Sequence, residues 1–273
     1  MRIHVLGCRA STPAPGTAFV RYGGDTSCVA VSTDDLAPTL VLDAGTGLRH
    51  LGGLLEGGGV FEGTILLTHL HWDHTHGLPF SPPIDNPDSH VRLLVPDQDG
   101  DPRRVMERAM SPPHFPITPG DLGGIDDIDF IVPGGHRIGR FDVVAAAVDH
   151  KGGRTFGYRV SAGGTSLGYL PDHSVGADDA ADLVRGVDLL IHDAMYTAAE
   201  QEKRPSFGHC SIGQAIELAE ASEVGGLILF HHDFNRTDDE LDDLIADLPD
   251  APFPVTAARQ GATYEVTTGP SSR

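Results

Sequence analysis

The sequence predicts an α/β fold in which strands and helices pack in layers. Short apolar segments of strand length recur from the N-terminus to position 230, and segments with helical periodicity lie between them. The 34 glycines and 20 prolines supply the many turns that such an alternation requires. No linker, low-complexity segment or internal repeat interrupts the pattern, so residues 1–273 are predicted to form a single domain.

The predicted elements follow from periodicity and from the residues that bound them. Strands are predicted at Ile3–Leu6, Cys28–Val31, Thr39–Leu42, Thr64–Leu67, Val91–Val95, Ile128–Val132, Phe141–Val148, Phe156–Val160, Ser166–Leu170, Leu189–Ile191 and Leu227–Phe230. Helices are predicted at Leu48–Glu56, Arg103–Met110, Ala177–Arg185, Ser211–Ala221 and Asp238–Leu248. Ser211 and Gln214 have the spacing of a capping box, which supports the start of the fourth helix.

The charge of the chain limits its partners. Lysine and arginine number 19 against 39 aspartates and glutamates, which gives a formal net charge of −20. A surface this acidic repels nucleic acids in bulk and also anionic membranes. A small anionic substrate could still bind at a local positive site built from metal ions.

Cysteine usage and the N-terminus predict a cytoplasmic protein. Cys8, Cys28 and Cys210 are too few and too scattered for a disulfide framework, which favours a reducing compartment. The segment Met1–Gly7 lacks the apolar core of a signal peptide, and no apolar stretch approaches membrane-spanning length.

The densest signal for chemistry is the segment His69-Leu-His-Trp-Asp-His74, which follows an apolar strand. His69, His71, Asp73 and His74 are all ligands for first-row metals. A helix would distribute four such neighbours around its circumference and a strand would alternate their faces, so we expect a loop that leaves the strand end. Imidazole and carboxylate ligands without a thiolate suit zinc, manganese or iron.

Further histidines and aspartates follow other predicted strands directly. These pairs are Asp149-His150 after Val148, Pro171-Asp172 after Leu170, His192-Asp193 after Ile191, and His231-His232 after Phe230. Strand ends lie together along one edge of a layered fold, so residues far apart in sequence can converge there.

Together these motifs resemble those of the metallo-β-lactamase superfamily. The matching segments are Asp43–Gly47, His69–His74, His150–Gly153, Tyr169–Asp172, Ile191–Ala194, Gly208–Ser211 and Phe230–Asp233. In this order they are similar to the branch that contains ribonuclease Z and the small cyclic-phosphate phosphodiesterases. The resemblance implies a four-layer αββα sandwich, with two mixed β-sheets flanked by helices and metal ions at one edge.

The resemblance also implies two divalent metal ions, zinc first, with manganese or iron also possible. His69, His71 and His150 would hold one ion, and Asp73, His74 and a late histidine the other, while Asp172 bridges the two. The late histidine is His231 if the register matches the family, whereas His232 points the opposite way if the strand continues. The chain has Lys151 after His150, where relatives often have proline.

The predicted catalytic set is Asp73, His209 and Asp193. Gly208-His209-Cys210-Ser211 resembles the Gly-His-Ser element of ribonuclease Z-like enzymes, whose histidine acts near the leaving group, and Asp193 matches the carboxylate that orients it. A second interpretation makes His209 a loop residue and Asp193 a support for the metal ligands. Asp43 is expected to accept hydrogen bonds within the loop scaffold, and Met110–Pro116 to form either a pocket wall or a stiff connector.

The resulting functional prediction is a dinuclear metal-dependent hydrolase that cleaves small or cyclic phosphodiesters through a metal-bridging hydroxide. A ribonuclease Z-like RNA endonuclease is disfavoured, because the segment between His150 and Asp172 is only long enough for a hairpin and not for that family's long arm. The acidic charge also disfavours nucleic acid. Two further hypotheses compete with the phosphodiesterase, namely an acyl or thioester hydrolase and a non-catalytic metal-binding accessory protein. The resemblance to this superfamily is also compatible with a homodimer.

Overall fold

The computed structural model of the chain describes residues 1–33, 36–174, 176 and 180–267 and contains two seven-stranded β-sheets. The strands are β1 (Arg2–Gly7), β2 (Cys28–Ser32), β3 (Leu40–Leu42), β4 (Glu62–Leu66), β5 (His90–Pro96), β6 (Ile125–Ile131), β7 (Gly134–Ile138), β8 (Phe141–Val148), β9 (Thr155–Ala162), β10 (Thr165–Leu170), β11 (Leu189–Asp193), β12 (Leu227–Phe230), β13 (Val255–Ala257) and β14 (Thr263–Glu265). The α-helices are α1 (Trp72–Thr75), α2 (Pro82–Asp85), α3 (Pro102–Glu107), α4 (Ala180–Leu183), α5 (Ala198–Glu202), α6 (Ile212–Ala221) and α7 (Asp238–Ala246).

Each sheet is mixed. The first has the strand order β14-β1-β2-β3-β4-β5-β6, and the second has the order β13-β12-β11-β10-β9-β8-β7. In the first sheet β3, β4, β5 and β6 are parallel neighbours, and in the second β10, β11, β12 and β13 are parallel. The carboxyl ends of parallel neighbours lie at the same edge, so loops that are distant in sequence meet there.

The alternation of apolar side chains along the strands produces three apolar layers. Val29 and Leu42 of the first sheet share a buried cluster with Tyr158 and Ile228 of the second, which shows that these two faces pack against each other. The opposite face of the first sheet packs against the segment 46–54 and helices α2 and α3. The opposite face of the second packs against α4, α6 and α7. The predicted αββα sandwich is therefore confirmed.

The predicted strands all occur, with ends shifted by a few residues. Three strands were not predicted: β7, which contains two glycines, and the three-residue strands β13 and β14, which are too short to show a pattern. The predicted hairpin between His150 and Asp172 is confirmed, since β9 and β10 pair through a turn at Gly163 and Gly164 with φ of 59° and 81°.

The helix predictions need one correction. The segment predicted as an α-helix at Leu48–Glu56 is a 3₁₀ helix at Thr46–Leu54, and its glycines at 47, 52 and 53 explain why the wider α-helix is not favoured. Helices α1, α2 and α5 were not predicted. The third predicted range, Ala177–Arg185, is observed as Ala180–Leu183, and its residues 177–179 lie outside the described residues.

The capping box of α6 is present, because Ser211 accepts a hydrogen bond from the amide of Gln214 and the side chain of Gln214 accepts one from the amide of Ser211. In the part of the chain that the structure describes, no helix has the length and apolar character needed to cross a membrane.

Candidate metal centre

The predicted ligands converge at one edge of the sandwich. The parallel strands β10, β11 and β12 end in register there, and they deliver Asp172, Asp193 and His231. The loop after β4 brings the His69–His74 segment from the other sheet, and the loop after β8 brings His150. Asp172 lies at the centre, within 4 Å of a nitrogen of each of four histidines: His69, His74, His150 and His231.

The His69–His74 segment is a loop only in part, which corrects the prediction. His69 and His71 lie in the loop, but Asp73 and His74 lie in α1, a single helical turn that begins after His71. The side chains of successive residues in a helix point about 100° apart around the helix axis. One turn can therefore present two adjacent side chains to a common centre, whereas a longer helix would carry the next residues away from it.

Four residues form an outer cluster: His69, His71, His150 and Asp172. His69 Nε2 lies 2.9 Å from His71 Nδ1, and His150 Nε2 lies 3.3 Å from the same atom. Asp172 Oδ2 is 3.7 Å from His69 Nε2 and 3.6 Å from His150 Nε2. Gly152 approaches closely, since a Cβ there would lie 2.8 Å from His71 Nε2. The nitrogens thus surround one point with a carboxylate oxygen beside it.

Four residues form an inner cluster: Asp73, His74, Asp172 and His231. Asp172 Oδ1 lies 2.9 Å from His74 Nε2 and 3.2 Å from His231 Nδ1. Asp73 Oδ2 is 3.5 Å from His74 Nε2 and 3.7 Å from His231 Nε2. Asp172 therefore belongs to both clusters and presents one oxygen to each.

The inner cluster contains orphaned polar atoms. Within the described residues, three buried side-chain atoms have no hydrogen-bond partner, namely His74 Nε2, Asp172 Oδ1 and His231 Nε2. The first two lie 2.9 Å apart but are not aligned for a hydrogen bond. Leaving such groups unsatisfied costs free energy. A divalent cation would satisfy all three, so the residues present fit a metal ion.

Contacts with residues outside the two clusters fix the orientation of several ligands. Asp43 Oδ2 lies 2.8 Å from His74 Nδ1. Asp43 also accepts hydrogen bonds from Thr68, through its amide and hydroxyl, and from the Tyr169 hydroxyl. His150 Nδ1 lies 2.7 Å from the carbonyl oxygen of Gly208. Because one ring nitrogen of each histidine donates to these acceptors, the other nitrogen is left as the metal-binding atom.

Two residues of the centre have left-handed backbones. Asp43 follows β3 with φ of 59°, and His231 follows β12 with φ of 60°. Such conformations are unfavourable for residues other than glycine and persist where surrounding contacts hold them. The change of direction after Phe230 turns His231 into the centre. His232 faces away instead, and its Nε2 donates to the carbonyl oxygen of Ala258 at 2.9 Å.

Burial and charge set the protonation of the ligands. Burial lowers the pKa values of His69, His71 and His231, so these imidazoles are neutral and have a free lone pair. Burial alone would also lower the pKa of His74, but the carboxylates of Asp172, Asp43 and Asp73 outweigh it and raise that pKa well above the ordinary value. A metal ion bound at the inner cluster would therefore compete with a proton for His74.

His209 and Asp193 form a pair beside both clusters. His209 Nδ1 lies 2.8 Å from Asp193 Oδ2 and 3.9 Å from Asp172 Oδ2. Asp193 is itself held by the amides of His173 and Met195. Burial would lower the pKa of His209, but Asp193 outweighs it, with smaller contributions from Asp172 and Asp73, and the pKa rises to about 9. The imidazole can therefore carry a proton at neutral pH.

Two adjoining cavities open onto the centre. One of about 510 Å³ is bordered by Asp73, His150, Asp172, His209 and His231, and Lys151 is the one lysine or arginine among its described lining residues. The other, of about 780 Å³, shares His71 and Trp72 with the first and has an otherwise largely apolar wall. Met110, His114 and Phe115 line this second cavity, which makes the segment Met110–Pro116 a pocket wall.

One group of chemically versatile residues was not predicted. His173, His192 and Cys210 form a rear cluster in which three ligand atoms lie within 4.8 Å of one another. Each is the sequence neighbour of a predicted site residue, Asp172, Asp193 or His209. That adjacency is the signal that could have identified them.

Comparisons with known proteins agree with this architecture. A family model described as a beta-lactamase superfamily domain matches residues 40–232. Ribonuclease BN of Citrobacter koseri is 40% identical over 78 residues, a match that covers 29% of this chain but only 25% of that relative.

Solved structures are similar over nearly the whole chain. The metallo-beta-lactamase fold protein YhfI from Bacillus subtilis has a TM-score of 0.73 at 19% identity, over 97% of this chain and 99% of its own. A diphosphatase from the PhnP family has a TM-score of 0.74 at 19% identity, over 98% of each chain. At these identities the similarity shows a shared fold.

Proposed function

Because the chain belongs to the metallo-β-lactamase superfamily of metal-dependent hydrolases, we propose that it cleaves small or cyclic phosphodiesters at a dinuclear metal centre. The observation that carries this proposal is the His209–Asp193 pair, which lies beside both ligand clusters. A departing alkoxide of a phosphodiester needs a proton, and a protonated imidazole next to the reacting group can donate it.

The clusters supply the proposed ligands. His69, His71 and His150 would hold one ion and Asp73, His74 and His231 the other, with Asp172 available to both. Two bound divalent ions, zinc by preference for this ligand set, would lower the pKa of a coordinated water toward neutrality and offset charge on a phosphate. The three orphaned atoms of the inner cluster support this assignment, because they have no other partner among the described residues.

His209 holds the proton that the leaving oxygen takes. The Asp193 carboxylate accepts a hydrogen bond from His209 Nδ1 and so stabilises the imidazolium, while Nε2 carries the transferable proton. The amides of His173 and Met195 keep Asp193 in place. The pair therefore resembles a general acid with its orienting group, and the role of Asp193 is positioning.

Lys151 provides a further reason to propose an anionic substrate. Its side chain is exposed at the rim of the 510 Å³ cavity, and its Nζ lies 5.6 Å from the centre of the Phe207 ring. In a chain with a net charge of −20, a lone lysine at the entrance can attract a phosphate locally. The neighbouring apolar cavity can accept an organic substituent of the diester.

Purified protein loaded with zinc or manganese tests the proposal on bis(p-nitrophenyl) phosphate, cyclic nucleotides and a thioester. We expect metal-dependent hydrolysis of a phosphodiester that is abolished by chelation and restored by metal. The Asp172→Asn variant, similar in shape but without the bridging charge, should be inactive, whereas a surface control such as Asp126→Asn should be unaffected. Hydrolysis of the thioester alone would contradict the proposal.

An RNA substrate is the second candidate, because the Citrobacter koseri relative is named a ribonuclease. Two features weigh against it: the short β9–β10 hairpin and the acidic charge. Precursor tRNA belongs in the same panel of substrates. We expect little or no cleavage at physiological salt, and efficient site-specific trimming would favour the ribonuclease instead.

A further inference from the structure

We propose that the rear cluster of His173, His192 and Cys210 is a third metal site, suited to zinc and separate from the two catalytic ions. The three side chains are fully buried, with exposed fractions of 1%, 0% and 0%. They lie behind the catalytic edge on the segments that carry Asp172, Asp193 and His209. This site does not depend on the proposed phosphodiesterase activity.

The ligand atoms lie close to the separations of a tetrahedral zinc site. His173 Nδ1 lies 3.0 Å from His192 Nε2, and Cys210 Sγ lies 3.9 Å from His173 Nδ1. Zinc bonds of about 2.0–2.1 Å to nitrogen and 2.3 Å to sulfur place tetrahedral ligands roughly 3.3–3.6 Å apart. Shifts of a few tenths of an ångström would bring these two pairs to those distances, and all three ligand atoms lie within 4.8 Å of one another.

The tautomer of His192 also favours a ligand role. Its Nδ1 lies 2.6 Å from the carbonyl oxygen of Asp193, so Nδ1 carries the proton and donates it to that acceptor. Nε2 is then the lone-pair nitrogen, and it lies 3.0 Å from His173 Nδ1. A histidine that donates one nitrogen to a backbone carbonyl and offers the other to the metal is the usual arrangement in metal sites.

The donor set determines which ion fits. Two imidazoles and one thiolate select zinc or another borderline-to-soft ion over magnesium or calcium, which prefer oxygen ligands. The three residues would leave one position of a tetrahedron for a water or another ligand. The catalytic clusters contain no sulfur, so Cys210 distinguishes the third site chemically.

Bound metal would join three separate parts of the chain. His173 follows β10, His192 lies in β11, and Cys210 precedes α6. The same three segments position the shared carboxylate Asp172 and the His209–Asp193 pair. The third site would therefore be structural, and its ion would limit the movement of the general acid relative to the catalytic ions.

Cobalt substitution of the full-length protein tests this site directly. Thiolate coordination to cobalt gives a charge-transfer absorption in the near ultraviolet, and imidazole and carboxylate ligands do not. We expect this absorption in the fully loaded wild-type protein and its loss in Cys210→Ser. The matched control is Cys28→Ser, because Cys28 is equally buried but lies outside every ligand cluster and should keep the absorption.

Elemental analysis of zinc-loaded protein provides the second measurement. We expect close to three zinc ions per wild-type chain and one fewer in both Cys210→Ser and His192→Gln. If wild-type protein held two ions and its cobalt form lacked the thiolate absorption, the rear cluster would be a hydrogen-bonded group and the third site would be wrong. That result would leave the dinuclear centre intact, so the two proposals fail separately.

Discussion

The outer and inner clusters of the centre share Asp172 but differ in exposure and in internal contacts. His71 of the outer cluster is partly exposed, whereas the His150 side chain is buried, and their nitrogens lie 3.3 Å apart. All four residues of the inner cluster are buried, and its three orphaned atoms have no hydrogen-bond partner among the described residues. The nitrogens of the outer cluster thus contact one another, whereas the inner cluster has three atoms that a bound cation would satisfy.

Charge adds to this difference. Asp73 belongs only to the inner cluster, and Asp43 contacts its His74 from behind, so this half has more carboxylates than the outer half. We infer that the inner cluster binds its metal more tightly and releases it more slowly. The outer cluster borders both cavities, so an ion bound there would be the one more open to exchange.

The largest expected effect is that of removing the shared carboxylate. Asp172→Ala takes a ligand from both clusters, so the protein should lose at least one metal ion and nearly all turnover. The loss should exceed the ~10²–10⁴-fold that a general acid contributes. Metal content by elemental analysis and turnover on one phosphodiester check this together. Unchanged metal content in Asp172→Ala would refute the shared role of this residue.

His209→Ala should leave both ions in place and slow turnover selectively. An activated nitrophenolate departs without a proton, whereas a ribose alkoxide needs one. We therefore expect a loss of about 10²–10⁴-fold on an alkyl-leaving diester and a much smaller loss on a nitrophenyl diester. Asp193→Asn should show the same selectivity more weakly, since it only orients the imidazole. Equal losses on both substrates, with metals retained, would assign His209 to substrate binding or loop support.

The pH profile provides a separate test of His209. A general acid acts in its protonated form, so turnover of the alkyl-leaving diester should fall as pH rises through the pKa of His209. Neighbouring carboxylates raise that pKa to about 9, and bound cations will oppose the shift by disfavouring a second positive charge. The alkaline limb should therefore lie between neutrality and pH 9, and it should be absent in His209→Ala. An unchanged limb in that variant would mean that another group titrates.

Asp43→Asn should weaken metal binding at the inner cluster and leave the outer cluster unchanged. The amide keeps the shape of the side chain but weakens its bond to His74 Nδ1, and loss of such a partner typically lowers metal affinity by about 10–100-fold. Competition with a chelator should reveal one weakened ion and one unchanged ion. If both ions weakened equally, the inner and outer clusters would not be independent.

Lys151 should have the smallest effect of this series. Lys151→Gln removes an exposed positive charge, so KM for a small phosphodiester should rise by about 2–5-fold while kcat stays nearly constant. Lys151→Arg serves as the matched control and should retain the wild-type KM. The difference between the variants should shrink at high salt, since screening weakens exposed charges. A fall in kcat alone would assign Lys151 a different role.

The sequence predicts the layers and the ligand-rich loops well, because these signals are local. Apolar runs mark the strands, and His69, His71, Asp73 and His74 are neighbours in the chain. The helical turn at Asp73 was missed, since four residues are too few to show a period. The choice between His231 and His232 depends on the left-handed backbone after Phe230, which no residue pattern in the sequence encodes.

The rear cluster was missed for a different reason. His173, His192 and Cys210 are single residues, each beside a stronger signal, and their proximity depends on the parallel register of β10 and β11 and on the start of α6. Edge strands such as β13 have three residues and no repeat to recognise. Contacts that only the assembled sheets create are thus the part that the sequence did not reveal.

The most direct test of an unequal dinuclear centre is anomalous diffraction from crystals of metal-free protein soaked with limiting zinc. The ratio of occupancies at the two clusters is the quantity to measure, and metal taken up elsewhere does not affect it. We expect higher occupancy among Asp73, His74, Asp172 and His231, with the outer cluster filling only as zinc is added. Equal filling, or preference for His69, His71 and His150, would contradict the account.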